Sequence, residues 1–470
     1  MLAAVALAGC MLVGGAYQAP ETVVPDAWYW NVRNDLHGGH SSLESWWTRF
    51  NDPALNRLIG RARANNPTLK IALERVGEAR AARNVVRSRL FPSVEGTGEA
   101  ARGRSSEKVP GGDGKTREYW ATGFDAGWEL DFWGGVRRSV ESANASAEAV
   151  EEAYRDTMVG LLAEVAANYV QYRTYDERIR LAQDNIKNQR DSVKLASDRF
   201  SAGLAPEIDV TQATSNLNSS EALVPALRNQ RTLAANRIAL LLGSYPGSVA
   251  PTLGGGKGIP VPAAGFGVGL PADLVRSRPD IRQAERQLAA QTARVGVATA
   301  ELFPRFALAG SFQLQAGSFN DLGNVGAARA YSFGPSFRWN LFSAGRVREN
   351  IRIEESRTRQ AYLNYENVVL GAVGEVEGAL ASVAEERDRL GKLEASVSAS
   401  QKTVGLVKDN YREGLVDFQR VLDAERTLFS GQDEAAASRG QIAADYVALF
   451  KALGGGAPMK PNPMPNKDKP

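Results

Sequence analysis

The feature that most limits what this chain can fold into is an internal repeat at a nearly constant spacing. Asn66-Pro67 opens a stretch that reaches Leu90-Phe91-Pro92, and Arg278-Pro279 opens another that reaches Leu302-Phe303-Pro304, an offset of 212. Trp128, Leu130, Gly134 and Arg137 recur as Trp339, Leu341, Gly345 and Arg348, now 211 apart. Phe200, Gly203-Leu204, Val210 and Ala213 recur as Tyr411, Gly414-Leu415, Val421 and Ala424. Leu242-Gly243 recurs as Leu453-Gly454, still at 211. Chance matches do not hold one spacing across separated segments, so about 180 residues are duplicated with almost no net insertion. The repeats span 66–243 and 278–454.

Each repeat reads as helix, two strands, very long helix, turn, helix. In Phe124, Ala126, Trp128, Leu130 and Phe132 every second residue is apolar, with Asp125, Gly127, Glu129 and Asp131 between them. Phe333, Pro335, Phe337, Trp339 and Leu341 alternate in the same way in the second copy, and Phe306, Leu308, Phe312 and Leu314 supply a partner strand. Val94 to Ala100 is the weaker partner in the first copy, with Glu95, Thr97 and Glu99 on its other face. Strands of about ten residues, apolar on one face and polar on the other, fit a membrane barrel or a half-buried sheet on a core.

The helices separate those two. No proline lies between Pro110 and Pro206, or between Pro335 and Pro458. Met158, Leu161, Val165, Asn168, Tyr172, Tyr175, Ile179, Ala182, Ile186, Gln189, Val193, Ala196 and Phe200 step by 3 and 4, and only Asn168 and Gln189 are polar. Shifted by 211, the register runs from Val369 to Tyr411 with only Glu386 and Ser400 polar. That is a heptad seam. A helix from Gly134 to Phe200 is roughly 100 Å long, and a compact globule has no room for it. The return helices continue through Val210, Ala213, Leu217, Val224, Leu227, Ile238 and Leu241, with a kink expected at Pro225.

Two copies hold four strands, and four strands do not close a barrel. About eight are needed before an interior exists, and an open four-stranded sheet exposes two edges. Oligomerisation follows, with three chains supplying 12 strands. The balance of 56 Lys and Arg against 53 Asp and Glu, net +3, carries no basic footprint for nucleic acid. No segment after residue 20 approaches the roughly 18 consecutive apolar residues of a spanning helix, so a bilayer crossing must use a barrel.

The single cysteine, Cys10, follows Leu7-Ala8-Gly9 at the end of a short apolar run. That stretch resembles a bacterial lipobox, in which cleavage leaves an N-terminal cysteine carrying lipid. Residues 1–10 then read as a lipoprotein signal remnant. No Lys or Arg lies between Met1 and Cys10, so the charged n-region is expected upstream of the recorded start. No other cofactor is expected. Without a second cysteine no intrachain disulfide forms, and the redox compartment is not readable.

Trp128-Glu-Leu-Asp-Phe-Trp-Gly134, Arg278-Pro-Asp-Ile-Arg-Gln-Ala-Glu285, Leu302-Phe-Pro-Arg305 and the run from Tyr411 to Ala424 resemble motifs of the outer-membrane efflux protein family, the TolC-like channels. The resemblance covers about Trp46 to Gly454 and is closest to the lipoprotein branch, whose members serve drug and metal exporters. It implies a mixed α/β membrane protein: a homotrimer with a 12-stranded outer-membrane β-barrel and a coiled-coil α-barrel crossing the periplasm. A belt around the middle would come from residues near 43–65, within the N-terminal segment 11–65, and from the linker 244–277. The function implied is passive: an outer-membrane channel, the exit duct of a tripartite efflux pump, fed by an inner-membrane transporter through a periplasmic adaptor. The tips at Phe200–Asp209 and Tyr411–Gln419 would form the periplasmic gate. By motif position Asp423 matches a ring aspartate, and Tyr411 with Asp209 matches a closing pair. Gln419 and Arg420 flank them. Val416 stands where related channels have a linking Arg, and Arg420 takes a place that can hold a second acid. The lock is then expected to be weaker, or to use Arg412 or Arg420 instead.

Other features carry less. Gly254-Gly-Gly-Lys-Gly258 lacks the Ser or Thr that follows Lys in a phosphate loop and reads as a linker. His37 and His40 have no Cys or acid partner at a set spacing and read as surface residues, not metal ligands. No nucleophile–base pair or acid pair is signalled, so no enzyme is expected. The tail 455–470, rich in Pro and Lys, and the loops 103–117 and 317–330 are expected to be disordered, with the loops facing outside. Two alternatives stand beside the efflux duct: the exit duct of a type I protein secretion system, and a periplasmic coiled-coil adaptor or scaffold.

Overall fold

The computed structural model describes residues 12–30, 43–254, 258–262 and 271–456. Cys10, His37, His40, the centre of the Gly254–Gly258 run and the tail after 456 lie outside the described residues. The elements are α1 (Pro53–Asn65), α2 (Pro67–Ser88), β1 (Ser93–Arg104), β2 (Thr116–Leu130), α3 (Gly135–Ser201), α4 (Glu207–Leu241), α5 (Ala250–Leu253) and α6 (Pro271–Ser277). They continue with α7 (Pro279–Ala300), β3 (Arg305–Ala316), α8 (Val325–Ala328), β4 (Arg329–Arg338), α9 (Arg346–Arg412) and α10 (Phe418–Ala452). α2 and α7 have 22 residues each, and β1 and β3 have 12. α3 and α9 have 67 residues each, and α4 and α10 have 35. Among these paired elements the second strands differ in length, 15 residues in β2 against 10 in β4.

The recurring motifs are the joints of these elements. Each long helix ends where Gly203 or Gly414 takes a positive φ, 70° and 76°. Leu204 N–H then bonds Arg199 C=O at 2.8 Å, and Leu415 N–H bonds Asn410 C=O at 2.8 Å. A residue with a Cβ is strained in that left-handed turn, so Gly-Leu marks both stops. Asn66 and Arg278 do one job with different chemistry. Asn66 Nδ2 donates to Leu241 C=O at 2.8 Å, and its Oδ1 caps Leu69 N–H at 2.9 Å. Arg278 Nη1 donates to Ala452 C=O at 2.8 Å. Each ties the last carbonyls of a return helix to the start of another helix, where a proline needs no donor. The Trp and Leu-Phe-Pro motifs bond each other as well. Trp128 Nε1 donates to Leu90 C=O at 3.0 Å, and Trp339 Nε1 donates to Leu302 C=O at 3.1 Å.

The chain divides into two compact units. The first comprises Met1–Glu21, Arg75–Glu151 and Gln283–Glu366 and holds the sheet. Its strands are antiparallel in the order β1-β2-β3-β4, so β1 and β4 are both open edges. Opposed residues share a face, and the register therefore sorts the sheet. Val94, Gly96, Gly98 and Ala100 share a face with Trp120, Phe124, Ala126, Trp128 and Leu130. Phe306, Leu308, Phe312, Leu314, Tyr331, Phe333, Pro335 and Phe337 complete it. The other face carries Glu95, Thr97, Glu99, Asp125, Glu129, Ser311, Gln313, Ser332 and Ser336. The apolar face is uncovered: Phe124 is 62% exposed, Phe333 82% and Phe337 69%. All four strands join helices at one end and loops at the other.

Three expectations need correction here. The strand alternation stops at Leu130 and Arg338, so Phe132, Trp339 and Leu341 lie past the strands; Trp339 is instead spent on the indole bond to Leu302. The loop between β3 and β4 is ordered by a 3-10 turn at Asn320–Gly323 and by α8. The loop between β1 and β2 is held by Ser105 Oγ on Asp113 at 2.9 Å. Also in this unit, Tyr17 Oη donates to Glu285 at 2.5 Å and Arg286 lies over its ring at 5.6 Å.

The second unit comprises Thr22–Glu74, Glu152–Arg282 and Asn367–Pro470. Trp46 stacks on Phe450 at 5.0 Å, and Phe50 meets Phe450 edge-on at 6.4 Å. Asp52 caps α1 through Ala54 N–H at 2.8 Å and accepts the Tyr169 hydroxyl at 2.7 Å. In the first copy the seam is buried or half-buried except at Phe200, which is 44% exposed because α3 ends one residue later. In the second copy all 13 seam residues from Val369 to Tyr411 are buried or half-buried. One 18-residue window of α9 is apolar enough for a membrane span by composition, with mean hydropathy 1.3. Its Val369, Ala372, Val376 and Val383 are buried seam residues, so helix packing accounts for it. Pro225 sits inside α4, which continues as helix through it.

Candidate functional site

The residues singled out from the sequence gather where the two helical hairpins of the second unit turn. Ala196 of α3, Ala213 of α4, Tyr411 of α9 and Phe418, Val421 and Leu422 of α10 form one buried cluster, each at most 3% exposed. Val193, Leu195, Val210, Val407 and Val416 pack around it, half-buried. Val416 is thus an apolar wall of the tip, which leaves no linking cation at that position.

Tyr411 Oη donates to Asp209 Oδ2 at 3.0 Å, joining the start of α4 to the end of α9 across 202 residues of sequence. The Tyr411 ring lies 5.1 Å from Phe418. Burial, followed by the hydrogen bond to the Asp209 carboxylate, pushes the phenol up to about 12, so it is a neutral donor at any ordinary pH. Arg199 holds the same corner from another helix. Its guanidinium lies 4.9 Å over the Tyr411 ring, and Nη1 donates to Arg412 C=O at 2.7 Å. Sequence reasoning missed Arg199. It sits one position off the seam, its counterpart at the repeat spacing is Asn410, and both of its partners lie more than 200 residues away.

The expected substitutes do not make this link within the chain. Arg412 pairs with Asp409 on its own helix at 2.8 Å, and the Arg420 side chain makes no ion pair among the described residues. Arg420 contributes only its backbone N–H, which Asp417 caps at 3.1 Å. Asp423 is one turn further along α10. Its Oδ1 accepts from Gln419 Nε2 at 2.9 Å and lies 4.0 Å from Arg426, and its side chain is 58% exposed. The Asp423 side chain therefore stays largely exposed, next along the helix to Val421 and Leu422 of the buried cluster.

Above the tip cluster the hairpin interior changes character. Gln189, Ser192, Asn216 and Glu425 are buried. Ser192 Oγ donates to Glu425 Oε1 at 2.5 Å, and Lys408 Nζ lies 2.7 Å from the same oxygen. A second apolar cluster follows at Ile179, Ala182, Ile186 and Val224. A polar layer between two apolar ones costs desolvation but admits a single helix register. Further on, Arg178 grips Asp433 with two bonds of 2.7 and 2.8 Å, and Asn185 donates to Gln432 at 2.8 Å.

This arrangement is a corner that holds four helix ends in place. The chain is 32% identical to nodulation protein T of Rhizobium leguminosarum bv. trifolii over 96% of its own length and 95% of the relative. It is 31% identical to the solvent efflux pump outer membrane protein SrpC of Pseudomonas putida, covering 97% of both. Its fold matches the outer-membrane channel OprN with a TM-score of 0.89 and 36% identity, over 95% of this chain and 99% of that one. The model of the family described as outer membrane efflux protein matches twice, at residues 58–244 and 270–455. With both halves of the chain matched and the fold shared end to end, the protein belongs to the outer membrane efflux protein family.

Proposed function

We propose that the protein is the exit duct of a tripartite efflux pump, a passive outer-membrane channel made by three copies of this chain. The observation that carries the reading is the sheet. Its face from Val94 to Phe337 is apolar and uncovered, its other face is polar, and both edge strands are unpaired. In water such a sheet aggregates. In a membrane, three of them close edge to edge into a 12-stranded barrel with lipid outside and water inside. Strands of 10 to 15 residues, tilted by about 40°, cover the roughly 30 Å hydrocarbon layer. The matched family consists of transport proteins.

In this reading α3, α4, α9 and α10 of three copies form the periplasmic wall, and the four helix ends held by Tyr411, Asp209 and Arg199 form its gate. Three Asp423 carboxylates ring the entrance and favour cations. Gln419 orients each of them. The partners are a periplasmic adaptor and an inner-membrane transporter, and a lipid on Cys10 anchors the chain. Relatives named for solvent efflux and for cation efflux favour the export of small solutes over protein secretion.

The test is mass and solubility. In detergent the protein should run at about three times the 50.6 kDa of one chain and insert into planar bilayers with a small closed-state conductance. A Cys10→Ser form should keep its need for detergent, because the barrel remains. A monomer that stays soluble without detergent after Cys10→Ser sinks the reading.

A further inference from the structure

The apolar sheet face does not end in the same way at its two ends. At the loop end, β1 finishes with Arg102 and Arg104, and the register places both on the face of Val94 and Ala100. β4 begins at Arg329, opposite Leu314, on that same face. Arg329 is exposed and makes no ion pair among the described residues. The other two are only loosely held. Arg102 is 3.8 Å from Glu118 across the ladder, and Arg104 is 3.8 Å from Glu107 in the loop while its Nε donates to Gly114 C=O at 2.7 Å. Both side chains remain mostly exposed.

β1 runs toward the loop end and β4 runs away from it, and they are opposite edges of one sheet. When copies close into a ring, β4 of one lies antiparallel beside β1 of the next, about 4.8 Å away, with the loop ends together. Arg329 of one copy then arrives beside Arg102 and Arg104 of its neighbour, all three on the lipid side, just past the last apolar residues. Glu118 beside Arg102 and Glu107 beside Arg104 are the acids that face these arginines among the described residues. Three guanidinium groups against two loosely held carboxylates leave an excess of positive charge at every junction, which an anion would neutralise. The anion available at that depth is a lipid headgroup.

We propose that each subunit junction binds a phosphate-bearing lipid of the outer leaflet through Arg102 and Arg104 of one copy and Arg329 of the next. Guanidinium forks match phosphate oxygens in pairs, while the acyl chains lie along Phe333, Phe312 and Phe124. The site rests on the barrel reading and exists only in the closed assembly.

Full-length protein in detergent, titrated with bis-phosphorylated lipid A and followed by native mass spectrometry, tests it. The assembly should take up to three lipids. Arg102→Gln/Arg104→Gln/Arg329→Gln should weaken binding by about tenfold or more, and Arg329→Gln alone should weaken it at every junction. Lipid A stripped of both phosphates should bind the parent as weakly as the triple variant does. Equal binding by parent and triple variant, or by phosphorylated and stripped lipid, overturns the site. So does competition by millimolar inorganic phosphate with no need for acyl chains. Bilayer conductance of the same preparations separates the two readings: an inserting, conducting parent that binds lipid no better than the triple variant removes only the lipid site. A parent that is monomeric and does not insert removes the barrel with it.

Discussion

Replacing Tyr411 with Phe isolates the smallest part of the proposed gate. The ring, 3% exposed and 5.1 Å from Phe418, is kept. What is lost is one hydrogen bond of 3.0 Å to the Asp209 carboxylate. A bond to a charged acceptor contributes about 1.5–3 kcal/mol, and the half-buried Asp209 recovers some hydration, so about 1.5 kcal/mol per copy is the working figure. One copy opening alone gains roughly tenfold in its open-to-closed ratio. Three copies opening together gain about 4.5 kcal/mol, or some three orders of magnitude. Single-channel recording reads this directly as longer and more frequent openings. Arg199 still spans the corner, so Tyr411→Phe with Arg199→Ala should open further than either alone. The same bond sets a pH window. The Tyr411 phenol is raised from its usual 10 to about 12 in the folded corner, so the bond is complete below pH 10 and is lost as pH climbs from 10 toward 12. Gating through this contact should be flat from pH 6 to 9 and loosen only in strong alkali. Unchanged open probability in Tyr411→Phe and in Asp209→Asn would refute the latch.

Three further outcomes follow from the geometry. Asp423→Ala should lower the cation-over-anion permeability ratio by about threefold or more, measured by reversal potentials in a salt gradient, because the exposed carboxylates set the entrance potential; an unchanged ratio removes the ring. Lys408→Ala strands the buried Glu425 carboxylate and should cost about 3 kcal/mol in helix stability, whereas Lys408→Ala with Glu425→Leu should recover most of it; equal melting of both variants contradicts the buried pair. Asn66→Ala removes a cap and the tie to Leu241, a loss of about 1–2 kcal/mol by denaturant titration, and a loss below 0.5 kcal/mol would contradict the tie.

What could be read in advance was whatever repeats or alternates. The seam of α3 and α9 needs only spacing, and every member except Phe200 is at least half-buried. The Gly-Leu stops are local too, because a left-handed turn asks for glycine wherever it occurs. The strand faces followed from period two, although not their ends, since Trp339 continues the alternation yet serves an indole bond to a loop carbonyl. Tyr411 and Asp209 were found through motif position, not through any periodicity. Arg199 was not found, because its role depends on a ring and a carbonyl brought together from the other repeat. Arg412 and Arg420 make no such link within the chain: one pairs with Asp409 on its own helix, and the other has no ion pair among the described residues. The polar layer was visible only as Gln189 interrupting an apolar seam, and its meaning came from Ser192, Lys408 and Glu425 converging on one level.

The central claim is that open edges β1 and β4 belong to one closed ring of three copies, and a cross-link between them tests it most directly. In a Cys10→Ser background, Gly96→Cys on β1 and Phe333→Cys on β4 place one thiol mid-strand on each edge. A short bis-maleimide added to the assembled protein should give denaturing-gel bands for one, two and three chains, with nothing larger, and the three-chain band should grow with time. Monomer alone, or a ladder climbing past three chains, would contradict the account.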